Sequence, residues 1–247
     1  MEKRVVVVTG ASRGNGLAIS KLLSEDPNSL IIGVDLDECV VNEETIFSQY
    51  LRLDVSNSDA SKVVFDLASQ LSSDICLVNN AGVTKPNNLP YPLEDFDFTL
   101  KINLRAPFVW MEEFRKLVDK NEIKTGAIVN ICSLAAHRAF PNNPSYIASK
   151  HGLLGLTKYY ASALGSYQIR VNSVSPGYIR TEMTLRSFKD ESRREQIGNH
   201  SMMGRWGETS EIAKVVRFLL SEESSFITGS DIPIDGGWLS NGMYFRQ

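Results

Sequence analysis

The chain has few of the residues that build disulfide frameworks and metal centres. Among its 247 residues are three cysteines, Cys39, Cys76 and Cys132, far apart, odd in number and forming no CxxC pair. That excludes a disulfide scaffold and fits a reducing compartment. The three histidines, His137, His151 and His200, show no HExxH or similar ligand spacing, so no metal site is expected. No stretch approaches the roughly 18 apolar residues of a membrane span, and the run Val5–Val8 is too short for a signal-peptide core. The expectation is a cytoplasmic protein with no membrane partner. Net charge is small, −3 from 26 basic and 29 acidic side chains. So balanced a chain lacks the basic face of a general nucleic-acid binder, and no nucleic-acid partner is expected. Low-complexity tracts, long linkers and repeats are missing too.

What is present is an alternation. Val5–Val8, Leu30–Val34, Tyr50–Leu53, Ile75–Val78, Ala127–Ile131, Arg170–Val174 and Asp231–Ile234 are short apolar runs bounded by turn formers, as buried strands are. Between them, Gly16–Leu23, Ala60–Leu71, Leu93–Val118, Tyr146–Leu164 and Ser210–Leu220 carry helical periodicity, with Ser210 placed to cap the last. Strands alternating with helices imply parallel pairing through crossovers, hence an α/β fold with a doubly wound parallel β-sheet. The length suits one domain over residues 1–247. The segment Thr181–Gly204 is polar and weakly periodic, and it is expected to be a mobile surface insertion.

The first strand runs into Thr9-Gly10-Ala11-Ser12-Arg13-Gly14-Asn15-Gly16 and then a helix. Glycines there let the backbone approach a pyrophosphate, and the helix start offers free N–H groups. Gly10, Ser12, Arg13, Gly14, Asn15 and Gly16 are therefore candidate cofactor contacts. Asp35 ends the second strand, about 20 residues on, where a carboxylate can bind the adenosine ribose hydroxyls. It would repel a 2′-phosphate and so favours NAD. Arg13 is the opposing signal, because a guanidinium in the glycine loop can attract that phosphate and leaves NADP possible.

Beyond the glycine loop, the chain resembles the short-chain dehydrogenase/reductase family from Val5 to about Trp238. The resemblance rests on an ordered series: Asp54-Val55, Asn79-Asn80-Ala81-Gly82, Asn103, Ser133, Tyr146 with Lys150, Pro176-Gly177 with Ile179 and Thr181, and Asp235-Gly236-Gly237. It implies a Rossmann-like single domain. In this reading Asp54 and Val55 contact adenine, Asn80, Ala81 and Gly82 shape the cofactor floor, and Pro176, Gly177, Ile179 and Thr181 hold the nicotinamide amide. It also implies a catalytic tetrad of Asn103, Ser133, Tyr146 and Lys150, and a homodimer or homotetramer packed through the long helices Leu93–Val118 and Tyr146–Leu164.

Tyr146 and Lys150 stand four apart, on one helix face. An ammonium beside a phenol stabilises a phenolate, so Tyr146 can take a proton from an alcohol or give one to a carbonyl oxygen. Ser133 follows a strand, at the edge where ligands bind in such sheets, and can hold the substrate oxygen. Lys150 has donors to spare for ribose hydroxyls. By family resemblance, Asn103 orders a water behind the lysine. The expected activity is hydride exchange between a secondary alcohol or ketone and the cofactor.

Some features depart from the family pattern. Asn15 replaces the usual aliphatic residue, and the Asp35–Tyr50 connection is too short for a full helix. That short connection, with Ala135-Ala136-His137, is similar to 2,3-dihydro-2,3-dihydroxybenzoate dehydrogenases and points to diol or cyclic alcohol substrates. Leu134–Asn143, Tyr178 and the insertion are expected to set the substrate. One alternative is an NADP-dependent 3-oxoacyl-acyl-carrier-protein reductase, suggested by Ser12-Arg13-Gly14 and the tail Met203–Asp235; Asp35 and the lack of an obvious basic cluster speak against it, although Arg186, Lys189, Arg193 and Arg194 could face the acidic carrier. The other is a non-catalytic dinucleotide-binding regulator, which the retention of Ser133, Tyr146 and Lys150 disfavours.

Overall fold

Strand β1 (Arg4–Thr9) is a run of four valines, and all four are buried. Only a strand covered on both faces tolerates such a run. The computed structural model describes residues 3–41 and 45–241. Among these, β2 (Ser29–Asp35), β3 (Gln49–Arg52), β4 (Ile75–Asn79), β5 (Ala127–Ile131), β6 (Arg170–Pro176) and β7 (Asp231–Ile234) join β1 in one parallel sheet. The spatial order is β3-β2-β1-β4-β5-β6-β7. Strand order reverses between β1 and β4, which opens a crevice beyond their carboxyl ends. The structure is a single Rossmann-like doubly wound domain.

Helices α1 (Gly14–Ser24) and α8 (Thr209–Leu220) cover one face. Helices α2 (Ser58–Leu71), α4 (Ala106–Asp119) and α5 (Pro144–Leu164) cover the other. On that second face Phe65 meets Trp110 and Phe114 edge to face, at 5.9 and 5.8 Å. Each such side chain contributes about 1.5–3 kcal/mol through burial. No described helix is long and apolar enough to cross a membrane.

Two local expectations need correction. The periodic run Leu93–Val118 is not one α-helix. It splits into α3 (Leu93–Leu100), a wider π turn over Lys101–Arg105, and α4. Pro107 has no N–H to give the carbonyl four residues back, and Asn103 is drawn aside by two side-chain bonds to Val83. Ser210 does not cap α8. Glu208 does, in a reciprocal capping box with Glu211. The segment 181–204, expected as a surface insertion, has helical structure of its own. It forms a turn at Glu182–Thr184, then α6 (Leu185–Lys189) and α7 (Glu191–His200), the last capped by Asp190 through Arg193 N–H at 3.0 Å. Its weak periodicity hides an anchor: Trp206 is buried, packs against Tyr178 and Phe188, and donates to the Arg194 carbonyl at 2.9 Å.

The connection from β2 to β3 has no α-helix among its described residues, and positions 42–44 lie outside them. The chain folds back on the glycine loop instead, with Val40 N–H bonded to the Ser12 carbonyl at 3.2 Å.

Candidate functional site

The glycine loop leaves the end of β1 at the crevice and enters α1. Gly10 and Gly14 take left-handed backbone angles, φ +66° and +55°, that other residues rarely adopt. Gly16 is required for space: a Cβ there would stand 2.0 Å from the Gly10 carbonyl oxygen. Asn80, at the end of β4, clamps the loop by donating from Nδ2 to the Thr9 and Gly10 carbonyls, each at 2.9 Å. Thr9, which motif reading passed over, completes the clamp. Its Oγ1 accepts from the Asn80 and Ala81 N–H groups at 3.0 and 3.1 Å. The available signal was a hydroxyl residue ending an otherwise apolar strand.

Asp35 lies against this loop, where its carboxylate accepts the Ser12 N–H at 2.9 Å and the Asp37 N–H at 3.2 Å. Arg13 is not free. Its guanidinium bonds the Asp37 carboxylate and lies 3.3 Å from Glu182. Asp54 turns back on Ser56, whose hydroxyl and N–H hold its carboxyl below the usual range. Val55 offers its carbonyl to Trp110 at 3.1 Å. Across the crevice, Gly177 N–H binds the Ile234 carbonyl at 2.9 Å, Ile179 is buried, and Thr181 caps the turn that starts the insertion.

Two buried polar atoms in the glycine loop, Ser12 Oγ and Asn15 Oδ1, have no hydrogen-bond partner among the described residues. Buried groups of this kind normally cost about 1–3 kcal/mol when unpaired, and a polar ligand in the crevice relieves them. The unpaired atoms and the side-chain-free cradle of Gly10, Gly14 and Gly16 fit a dinucleotide.

The second half of the site gathers at the end of β5. Lys150 is 3% exposed and donates to the Ile131 carbonyl at 2.8 Å. Among the described residues no carboxylate lies within 4.0 Å of it. A buried cation without a counter-charge is costly, and such groups concentrate at functional sites. Its ammonium lies 5.6 Å from the centre of the Tyr146 ring. Gly82 lies between Lys150 and Asn103: a Cβ on it would be 3.7 Å from Lys150 Nζ and 3.4 Å from Asn103 Oδ1. Asn103, fully buried in the π turn, holds both backbone groups of Val83 at 2.8 Å and approaches Ser149 Oγ at 3.3 Å. Ser149 in turn donates to the Tyr146 carbonyl at 2.8 Å. Ser133 begins a 3₁₀ turn over Leu134–Ala136, and its Oγ accepts the Ala135 N–H at 3.2 Å. The π turn thus joins the segment Gly82-Val83 after β4 to the helix that carries Tyr146 and Lys150.

Several further side chains around the crevice make contacts within the fold. His137 pairs with Asp231 at 2.8 Å and reaches Ser175 Oγ at 3.3 Å. Met202 and Met203 lie against Gly237 and Gly236. Arg194 pairs with Glu191 and sits over the Phe188 ring. Burial pushes the thiols of Cys76 and Cys132 up to about 11 and about 12. Neither is therefore a nucleophile near neutrality. At pH 8, iodoacetamide is expected to modify the half-buried Cys39 first and to spare Cys76 and Cys132 in the folded protein, as peptide mass spectrometry would show.

A crevice at the switch point of a doubly wound sheet, floored by a glycine loop at a helix start, defines a dinucleotide-binding protein. The sequence matches the family profile described as Enoyl-(Acyl carrier protein) reductase over residues 10–239. It is 35% identical over 246 residues to a 3-oxoacyl-acyl-carrier-protein reductase of Thermotoga maritima, covering 96% of this chain and 98% of that one. Among solved structures, 4-hydroxyisoleucine dehydrogenase complexed with NADH matches with a TM-score of 0.89 and 33% identity, over 97% of this chain and 100% of the other. A provisionally assigned 2-deoxy-D-gluconate 3-dehydrogenase of Agrobacterium tumefaciens, with bound NADP, matches at 0.87 and 31%, over 97% and 98%. The chain belongs to the short-chain dehydrogenase/reductase family. It is an NAD(P)-dependent oxidoreductase.

Proposed function

We propose that this oxidoreductase interconverts a secondary alcohol and a ketone, with NAD preferred. The observation that carries the reading is the buried Lys150 ammonium beside the Tyr146 ring. Bound nicotinamide dinucleotide supplies the hydride acceptor or donor. Gly10, Ser12, Gly14, Asn15 and Gly16 would hold its pyrophosphate end and Asp35 its adenosine ribose. Asp54, Val55, Asn80, Ala81 and Gly82 would line the adenine side and the floor. Pro176, Gly177, Ile179 and Thr181 would hold the amide end.

In this reading Ser133 orients the substrate oxygen by donating a hydrogen bond, and Tyr146 exchanges the proton at that oxygen. Lys150 stabilises the phenolate through space and offers its remaining donors to ribose hydroxyls. Asn103 keeps the floor and α5 in register through Val83 and Ser149, and supports the proton path behind the lysine. A small alcohol or ketone is the expected partner. A second copy of the chain is expected on the face of α4 and α5, where Leu100, Leu104, Phe108, Gly152 and Leu156 line an open groove of about 560 Å³.

One observation favours a second reading, a 3-oxoacyl-acyl-carrier-protein reductase: the relatedness to the Thermotoga maritima enzyme. An absorbance assay of reduced nicotinamide separates these readings. It would be run with secondary alcohols, diols, sugars, steroids, ketones and a 3-oxoacyl thioester, each with both cofactors. Turnover of an alcohol or ketone with NAD is the expected result. Thioester reduction with NADPH alone selects the second reading. Cofactor binding with no turnover on any substrate selects a regulator.

A further inference from the structure

Arg13 is the one basic residue of the glycine loop, and it is held between acids from two distant segments. Asp37 comes from the turn after β2, and Glu182 from the turn that opens the insertion after β6. Nearby, Asp35 is engaged with the Ser12 and Asp37 N–H groups, and Glu38 is paired with Arg52 at 2.8 Å. The glycine loop and the base of the insertion are close at the same place: a Cβ on Gly14 would lie 3.8 Å from the Thr181 side chain. Arg13 therefore sits where three segments meet, between the adenosine-ribose position of Asp35 and the start of the insertion.

A 2′-phosphate carries roughly −2 charge near neutrality and needs a cation. For Arg13 to serve it, the guanidinium must leave both Asp37 and Glu182. The freed carboxylates would then remain beside the incoming phosphate and repel it. A 2′-hydroxyl makes no such demand. We propose that Asp37 and Glu182 are specificity-determining residues that exclude NADP by sequestering Arg13. The basic signal in the loop and the acidic signal at β2 then work together, because the arginine is already occupied. This inference rests on the NAD preference proposed above and extends it to two residues beyond Asp35.

The test compares wild type, the double variant Asp37→Asn/Glu182→Gln and the triple variant that adds Arg13→Ala. All three side chains lie at the surface. NAD and NADP binding would be measured by calorimetry, and kcat/KM with both cofactors. In the double variant NADP affinity is expected to rise about tenfold, the size of one charge-assisted contact, with NAD affinity nearly unchanged. The gain should disappear in the triple variant. Unchanged NADP affinity in the double variant overturns the proposal. So does a gain that survives Arg13→Ala, because simple removal of negative charge would then explain it. A wild-type protein that binds NADP more tightly than NAD overturns the NAD reading itself and this inference with it.

Discussion

Turnover of a Tyr146→Phe enzyme is expected to fall about a thousandfold, with dinucleotide binding kept within a few fold. The substitution removes one oxygen and keeps the ring that lies 5.6 Å from Lys150. General acid–base groups contribute about 10²–10⁴ in rate. The loss should appear in kcat, because in the proposed mechanism Tyr146 acts on the substrate oxygen as the proton moves rather than on uniform binding. Lys150→Ala is expected to lose as much turnover and also to weaken cofactor binding, since the proposed mechanism has its ammonium serve both the phenol and the ribose. Stopped-flow transients and titration of cofactor fluorescence separate the two effects. Near-normal turnover in Tyr146→Phe would reject the mechanism.

The second large effect is expected at Gly16. A methyl group there would meet the Gly10 carbonyl oxygen at 2.0 Å, the Asn80 amide nitrogen at 2.5 Å and the Gly10 carbonyl carbon at 2.8 Å. None of these neighbours can give way easily. Gly10 is tied to β2 through its N–H on the Val34 carbonyl at 2.8 Å, and Asn80 is fixed by its two carbonyl acceptors. Gly16→Ala must therefore displace the loop or the start of α1. Overpacking of this kind costs about 1–3 kcal/mol in stability. The loss of cofactor affinity should be larger, about a hundredfold or more, because the displaced atoms are those proposed to cradle the pyrophosphate. Chemical denaturation and calorimetric titration check the two numbers. If the Gly16→Ala variant binds cofactor like wild type, the loop does not hold it.

Much of the fold was legible because parallel strands buried on both faces leave continuous apolar runs. All seven runs correspond to strands, with ends shifted by a residue or two. The glycine loop was legible for a related reason: glycine at positions 10, 14 and 16 is demanded by backbone angle and space, so the sequence records the geometry. The pairing of Tyr146 with Lys150 followed from helical spacing alone. The π turn at Lys101–Arg105 was hidden, because hydrophobic periodicity runs through it unchanged. Its cause lies partly in Pro107 and partly in Val83, which is remote in sequence. The helices of the insertion were hidden because α7 has no apolar stripe of its own. Burial of Trp206 beside Tyr178 and Phe188 anchors that segment to the fold.

The sequence by itself determined the sheet, the order of its elements, the glycine cradle and the helix face that carries Tyr146 and Lys150. Each is governed by interactions between near neighbours or by a residue's own backbone limits, and these leave a local signature. Tertiary structure alone decided which charges meet. It closed Arg13 between Asp37 and Glu182, tied Asp35 to Ser12, paired His137 with Asp231, and buried Lys150 against the Ile131 carbonyl with no acid within 4.0 Å among the described residues. Charged side chains are long and mobile, and their pairing depends on where distant segments come to lie. No spacing along the chain encodes that.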